Sequence, residues 1–233
     1  MRAMILAAGR GERMRPLTDH TPKPLLEAGG KALIVHQIER LRQAGLTEIV
    51  INLGWLGEQI EHALGDGAAH GVRIEYSIEP PGALETAGGI VHALARLGNS
   101  PFLVTNADIY CDFPLARLRQ FEPEGLAHLV MIENPSHHSH GDFALGDGRL
   151  RLSGEPRLTY SGIGVFRPEM FRDLSPGVRP LRPVLEAAIA RGQISAELHR
   201  GQWLDIGTPD RLQQLAASFA SSVPVRPDPT GPD

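Results

Sequence analysis

Short apolar segments alternate with segments of helical period from the start of the chain to about residue 133. Strands are expected at residues 3–7, 48–53, 72–77, 102–106 and 126–133. Between them, apolar residues recur at helical spacing on two faces, formed by Ile34, Ile38 and Leu41 and by Leu56, Ile60 and Leu64. The faces stop at Gly45 and Gly65, and a third helix is expected from about Thr86. This alternation predicts an α/β fold with a Rossmann-like, doubly wound and mostly parallel sheet.

The pattern changes after residue 133 to short, glycine-rich alternating segments at residues 141–145 and 158–166. We expect strands and hairpins there, covering one end of the crevice at the sheet edge. Two helices are expected at residues 182–191 and 209–220, whereas residues 223–233 have no apolar period and are expected to be a disordered tail. One domain is therefore predicted over residues 1–222, with a first part at about 1–133 and a second at about 134–208.

Composition excludes several classes of protein. The chain has 233 residues, of which 42% are hydrophobic and 21% charged, as in ordinary globular proteins. A net charge of −4 gives no general attraction to nucleic acid. No apolar run is long enough for a signal peptide or a membrane span, and the single cysteine, Cys111, cannot form an internal disulfide. We therefore expect a cytoplasmic protein with neither nucleic acid nor membrane as a partner.

The first expected strand leads into a loop that contains glycines and basic residues. Gly9 and Gly11 let the backbone turn tightly and bring its N–H groups close to phosphate oxygens. Arg13 and Lys23 can neutralise a polyphosphate from this exposed loop, and the prolines on either side of Lys23 restrict its backbone. Met14 replaces the third glycine of the dinucleotide fingerprint, and the P-loop ending is absent. The loop predicts a nucleoside triphosphate site of another kind.

A second group of polar residues follows another buried strand. The strand expected at residues 102–106 ends at Asn106, and Asp108 follows it two residues later. Ligands of doubly wound sheets bind beyond the carboxyl ends of the strands, where the glycine loop also lies. Both groups therefore point to one crevice.

The glycine loop and its continuation match a known signature. Residues 6–16 read Leu-Ala-Ala-Gly-x-Gly-x-Arg-Met-x-Pro, and residues 22–25 read Pro-Lys-Pro-Leu. Together they resemble the sugar-phosphate nucleotidyltransferases, over about residues 4–209. The resemblance implies a GT-A-like fold and an enzyme that joins a sugar 1-phosphate to a nucleoside triphosphate, releasing pyrophosphate. The chain lacks the hexapeptide repeats found in several larger members of the family.

The resemblance also implies roles for particular residues. Arg13 would hold the β and γ phosphates, and Lys23 would stabilise the α-phosphate during attack. Asp108, with Asp205 in the segment Trp-Leu-Asp-Ile-Gly-Thr-Pro, would bind Mg²⁺, which prefers carboxylate oxygens. The implied nucleotide-binding residues are Ala7, Ala8, Gly9, Gly11, Arg13, Thr86, Gly88, Gly89 and Asn106.

Two segments depart from the family pattern. Small residues near Thr86 would let a flat base approach the backbone, but Glu85 replaces the usual glycine. The family's Glu-Lys-Pro sugar contact would fall at residues 154–156, where the lysine is absent. The implied sugar-binding residues are Asn134, Gly141, Asp142, Tyr160 and Ser161. Histidines 137, 138 and 140 lie in residues 134–142, a segment that we call the lip, and they lack the spacing of a zinc motif.

Within the family, the lack of hexapeptide repeats, the segment Leu-Glu-Thr-Ala-Gly-Gly at residues 84–89 and the histidine-rich lip make the chain most similar to the uridylyltransferases of cell-wall recycling. That similarity implies Mg²⁺ as cofactor and UTP with a sugar 1-phosphate, N-acetylmuramate 1-phosphate, as substrates. A mannose 1-phosphate or heptose 1-phosphate guanylyltransferase is an alternative, because Thr-Pro-Lys-Pro-Leu is common there too. A third alternative, from another class, is a catalytically silent nucleotide-sugar sensor.

Overall fold

The computed structural model of the chain describes residues 1–221, so the expected domain end at residue 222 and the tail at residues 223–233 lie outside it. Within residues 1–221 the chain forms six α-helices and thirteen strands. Helices α1 to α6 are Leu33–Gln43, Gly57–Leu64, Glu85–Leu97, Glu169–Arg172, Leu181–Ala190 and Pro209–Ser221. Strands β1 to β13 are Ala3–Leu6, Glu27–Ala28, Lys31–Ala32, Glu48–Leu53, Arg73–Ile78, Phe102–Asn106, Ile109–Cys111, Ala127–Ile132, Phe143–Gly146, Arg149–Arg151, Arg157–Phe166, Ile194–His199 and Trp203–Asp205.

One sheet of nine strands organises the described residues, in the order β5-β4-β1-β6-β11-β8-β12-β10-β9. The first four strands are parallel, as the alternating pattern predicts. β11 lies between β6 and β8 and is antiparallel to both. We expected it only to cover one end of the crevice. It is instead interior because its residues 161–166 are all buried, and a strand that is buried on both faces belongs inside a sheet.

Helices cover both faces of this sheet, which confirms the predicted α/β class. Ile34, Ile38 and Leu41 of α1 are fully buried in a core on one face. Ile90 and Leu97 of α3 are buried in the core on the other face, together with apolar residues of α5. Each such side chain contributes about 1.5–3 kcal/mol of burial free energy. The helices therefore fix the sheet from both sides and leave its strand ends accessible.

The carboxyl ends of three neighbouring strands meet at one edge of the sheet. Leu6, the last residue of β1, pairs with Asn52 of β4 on one side and with Asn106 of β6 on the other. Below this edge, short β7 and β13 form a separate antiparallel pair. Polar residues from distant parts of the sequence are thereby brought together at one crevice. Within residues 1–221, no helix is both long enough and apolar enough to cross a membrane.

Candidate active site

A cavity of about 600 Å³ opens at this edge of the sheet. It is lined by the glycine loop, by the start of α3 and by the segment that follows β6. The predicted site residues that line it are Ala7, Ala8, Gly9, Gly11, Arg13, Lys23, Thr86, Asn106 and Asp108. Its size suits a nucleotide, since ligand pockets commonly span 300–1,000 Å³.

The glycine loop is braced from within. Gly11 has a φ of 64°, and its carbonyl accepts hydrogen bonds from Met14 N at 2.8 Å and from Thr18 Oγ1 at 2.9 Å. A Cβ at Gly11 would lie 3.0 Å from the Cβ of Lys23. A side chain there would therefore be strained and crowded. The exposed Arg13 remains free to extend into the cavity from this rigid turn.

Lys23 is buried, whereas we expected it in an exposed loop. Its residue is only 7% exposed, because the short turn Lys23–Leu25 packs it against the glycine loop. Its Nζ donates to Asp108 Oδ2, and the half-buried Asp108 lies at the cavity wall. A lysine held in this way presents a fixed positive charge with little freedom left to lose.

Asp205 lies beside Asp108 because β13 pairs with β7. Asp205 is opposite Ile109, and the next residue, Ile206, donates its N–H to the carbonyl of Asp108 at 2.8 Å. A Cβ at Gly207 would lie 2.9 Å from Asp205 Oδ2 and 3.1 Å from Arg13 Nη2. Gly207 lines the cavity, so the second carboxylate lies with Arg13 next to the cavity wall, although Asp205 itself is not a lining residue. Two carboxylates offer the hard oxygen donors that a magnesium ion prefers.

Two further side chains at Asp205 were missed by sequence reasoning. Arg211 of α6 donates to Asp205 Oδ1, and His137 Nε2 lies 3.0 Å from the same oxygen. This places one residue of the lip, residues 134–142, in contact with the predicted metal motif. No local pattern could have found the pairing, because His137 and Asp205 are brought together only by the fold.

The far end of the cavity carries an amide–carboxylate pair that sequence reasoning also missed. Asn52 Oδ1 accepts the N–H of Ala7 at 2.8 Å, and Asn52 Nδ2 donates to Glu79 Oε1 at 2.7 Å. Burial raises the pKa of Glu79, against hydrogen bonds from Asn52 and the backbone at Leu84 that lower it. Both residues stand at or just beyond the ends of β4 and β5, so the strand-end rule was the signal available.

The residues predicted to line a base pocket lie in two different environments in the structure. Thr86 lines the cavity, but Gly88 and Gly89 are buried within α3. A Cβ at Gly89 would lie 2.6 Å from Glu79 Oε1 and 2.9 Å from Asn52 Nδ2. The N–H of Gly88 donates to the carbonyl of Arg179 at 3.1 Å. These glycines therefore allow close packing behind the amide–carboxylate pair, and their direct contact with a base stays a prediction.

The predicted sugar-binding residues lie outside the cavity lining, and most of their polar groups bond to the protein. Asn134 donates to the carbonyls of Ser139 and Arg157 and accepts from Thr159 Oγ1. Gly141 has a φ of 62° and packs on Asn134. Their contacts with a sugar therefore stay predictions.

Asp142, Tyr160 and Ser161 form the other side of this region. Asp142 Oδ2 accepts the N–H of Tyr160 at 2.9 Å, and its Oδ1 lies 3.2 Å from His138 Nε2 and 3.3 Å from Arg182 Nη1. Burial raises the pKa of the Tyr160 hydroxyl above its ordinary range. The buried Ser161 Oγ accepts the N–H of Ile163 at 3.2 Å. Of the three, Asp142 combines partial exposure with a neighbouring cation.

Comparison with known proteins gives one consistent class. The Nucleotidyl transferase family matches residues 2–222. The chain therefore belongs to the nucleotidyl transferase family, which confirms the resemblance seen in residues 6–25. A solved structure described as a glucose-1-phosphate thymidylyltransferase from Bacillus anthracis has a TM-score of 0.82 at 23% identity and covers 97% of each chain. That similarity supports the fold alone.

Two curated relatives are more similar in sequence. An N-acetylmuramate alpha-1-phosphate uridylyltransferase from Neisseria meningitidis serogroup B is 53% identical over 225 residues, which are 93% of this chain and 97% of the relative. A protein of the same name from Caulobacter vibrioides is 37% identical, covering 94% of this chain and 97% of the relative.

Proposed function

We propose that the protein transfers a uridylyl group from UTP to N-acetylmuramate 1-phosphate, giving UDP-N-acetylmuramate and pyrophosphate. The observation that carries the proposal is that Arg13, Lys23 and Asp108 line one nucleotide-sized cavity and that Asp205 lies against its lining residue Gly207. The high similarity to proteins with this named activity supports the choice of substrates. Both substrates are cytoplasmic metabolites, so we also propose that the reaction takes place in the cytoplasm.

We assign to each charged group the role that the family resemblance implies. An oxygen of the sugar phosphate forms a bond to the α-phosphorus of UTP as the bond to the pyrophosphate oxygen breaks. Lys23 stabilises the charge that develops on the α-phosphate, and Arg13 holds the departing pyrophosphate. Asp108 and Asp205 would hold Mg²⁺, which supplies further charge stabilisation at the phosphate oxygens when bound. No enzyme nucleophile is needed.

The other end of the cavity suits a base with a central N–H donor. The Glu79 carboxylate is an acceptor whose orientation is fixed by Asn52, and Asn52 is in turn fixed by the backbone of Ala7. Uracil presents its N3–H between two carbonyl oxygens, so one acceptor flanked by N–H donors can read it. The two oxygens of a carboxylate can also accept from the N1–H and N2–H of guanine, so the choice of UTP rests on the similarity to proteins with this named activity.

Arg182, which contacts the lip, is the group that we assign to the lactyl carboxylate that distinguishes N-acetylmuramate from N-acetylglucosamine. It pairs with Asp142 at 3.3 Å and with Glu186 at 2.9 Å, and its guanidinium is 5.5 Å from the ring centroid of Phe143. A site built around a charged group discriminates strongly against ligands that lack it. We therefore expect kcat/KM with UTP to be higher for N-acetylmuramate 1-phosphate, by on the order of 10² or more.

The test is pyrophosphate release with four nucleoside triphosphates against several sugar 1-phosphates. Arg182→Ala should reduce the preference for the muramate acceptor, whereas Arg172→Ala, an exposed arginine of α4, should not. Equal efficiency on the two amino sugars would refute the muramate assignment. A preference for GTP with mannose 1-phosphate would favour the guanylyltransferase alternative, and no release with any pair would favour the sensor.

A further inference from the structure

Glu85 has an unusual backbone conformation at the cavity wall. It is the first residue of α3 and has a φ of 61°. Within residues 1–221, only Leu56, Glu85 and Asp147 combine a side chain with a positive φ, and of these only Glu85 lines the cavity. Left-handed backbone is strained for such residues and persists where the surrounding structure enforces it, often at ligand sites.

The Glu85 carboxylate is also without a partner in the described part of the chain. The residue is exposed, and its carboxylate forms no hydrogen bond or ion pair with residues 1–221. A carboxylate at a helix N-terminus interacts favourably with the helix dipole, but that effect does not require the left-handed conformation. Packing and local pairing therefore leave this side chain unexplained.

A carboxylate in a cavity for a triphosphate must face a neutral, donor-bearing part of the ligand, because phosphate would repel it. Glu85 lies four residues before Gly89, and residues four apart share one helix face, about 6 Å apart along the axis. Gly89 packs against Glu79 and Asn52, the pair assigned to the base. Glu85 therefore lies one helical turn from that pair, toward the N-terminal end of α3. This separation is close to the distance from the hydrogen-bonding edge of a base to its ribose.

We propose that Glu85 accepts a hydrogen bond from the ribose 2′-hydroxyl of the nucleotide and so selects ribonucleotides over 2′-deoxyribonucleotides. The proposal rests on the proposed function, in which the Asn52–Glu79 pair binds the base. Carboxylates bind ribose hydroxyls in this way in dinucleotide sites on doubly wound sheets. Glycine at this position would remove the strain and the acceptor together.

The experiment compares kcat/KM for UTP and 2′-deoxy-UTP in the unmodified protein and in Glu85→Gly. The unmodified protein should prefer UTP by roughly 10- to 100-fold, the range for one hydrogen bond to a charged group. Glu85→Gly should lose that factor with UTP, stay within about twofold with 2′-deoxy-UTP, and melt at a higher temperature because the strain is removed. Glu85→Gln should retain part of the preference.

Asp147→Gly is the matched control, because Asp147 has a φ of 52° in the exposed turn between β9 and β10. It undergoes the same change of residue type away from the cavity and should leave the UTP preference unchanged. The proposal fails if the unmodified protein does not discriminate, if Glu85→Gly keeps the preference, or if Glu85→Gly changes only the acceptor dependence.

The ratio of kcat/KM for the ribonucleotide to kcat/KM for the 2′-deoxyribonucleotide is measured with the base that the unmodified protein uses best. Dissociation constants for the same pair of nucleotides are measured by calorimetry. A wrong base would then refute the proposed function without affecting the test of Glu85. The binding ratio also gives a result if the correct acceptor sugar has not been supplied.

Discussion

The nucleotide cavity and the lip differ in what their polar side chains contact. At the cavity, Arg13 and Glu85 line the wall without a side-chain hydrogen bond or ion pair to residues 1–221, and Lys23 is fixed by one ion pair. On the lip, Asn134 uses both ends of its amide on the protein itself. The cavity is built from strand ends whose position follows from the sheet, whereas the lip needs its own polar groups to hold its shape. Recognition groups are therefore easier to identify at the strand ends.

Among the tests of the difference between the cavity and the lip, removing Lys23 should have the largest effect on turnover. A smaller effect would contradict the assignment of recognition groups to the strand ends. Lys23→Ala should lower kcat by ~10² to 10³, because a fixed charge at the α-phosphate is lost. Lys31→Ala removes the chain's other lysine, an exposed residue paired with Glu39, and should leave kcat unchanged. Steady-state kinetics, with melting curves to confirm folding, measure both. Turnover within about twofold of the unmodified protein would eliminate the proposed role.

The two aspartates should show the next largest effect. Asp108→Asn and Asp205→Asn should each raise the Mg²⁺ concentration needed for half-maximal activity, since an amide keeps the shape but loses the charge that attracts a hard cation. Direct titration with Mn²⁺, followed by electron paramagnetic resonance, gives a second measurement. Asp173→Asn is the control, because Asp173 is exposed and lies outside the cavity lining. Normal turnover of the unmodified protein in excess chelator would contradict the assignment for both.

Asn134→Ala tests whether the lip depends on internal bonding. Three hydrogen bonds are lost, so we expect a loss of about 1–3 kcal/mol in the free energy of unfolding. Denaturant titration measures it, with Asn99→Ala as an exposed control. Because the change lies outside the cavity, the KM for UTP should be unaffected. An unchanged unfolding free energy together with a raised KM for the acceptor would instead support direct sugar contact by Asn134.

His128, in the sheet that both regions share, should give the smallest effect. Burial lowers its pKa, against a hydrogen bond to Glu197 that raises it. The folded state therefore binds a proton less readily than the unfolded chain, whose histidine pKa is about 6.5. Stability should be constant above that pH and fall below it by at most about 1.4 kcal/mol per pH unit. His128→Gln should flatten this dependence and the exposed His62→Gln should not, as urea titrations at several pH values would reveal.

Much of the scaffold could be predicted because it follows from local patterns. The helical faces at Ile34 and Leu56 and the strand at residues 102–106 appear nearly where periodicity places them. β12 was missed because Ile194–His199 alternates apolar and polar residues over only six positions, after a helix. Its pairing with β8 is a long-range contact, and no local signal in the sequence reports it.

The sequence by itself determined the α/β class and predicted the phosphate-binding loop and the site residues Arg13, Lys23, Asp108 and Asp205, since each depends on residues close together in the chain or on a family motif. Only the tertiary structure decided that Lys23 is buried, that His137 meets Asp205, and that Asn52 and Glu79 form a pair. These contacts join residues separated by long stretches of chain. Burial and pairing are properties of the packed molecule, so composition and spacing along one segment cannot encode them.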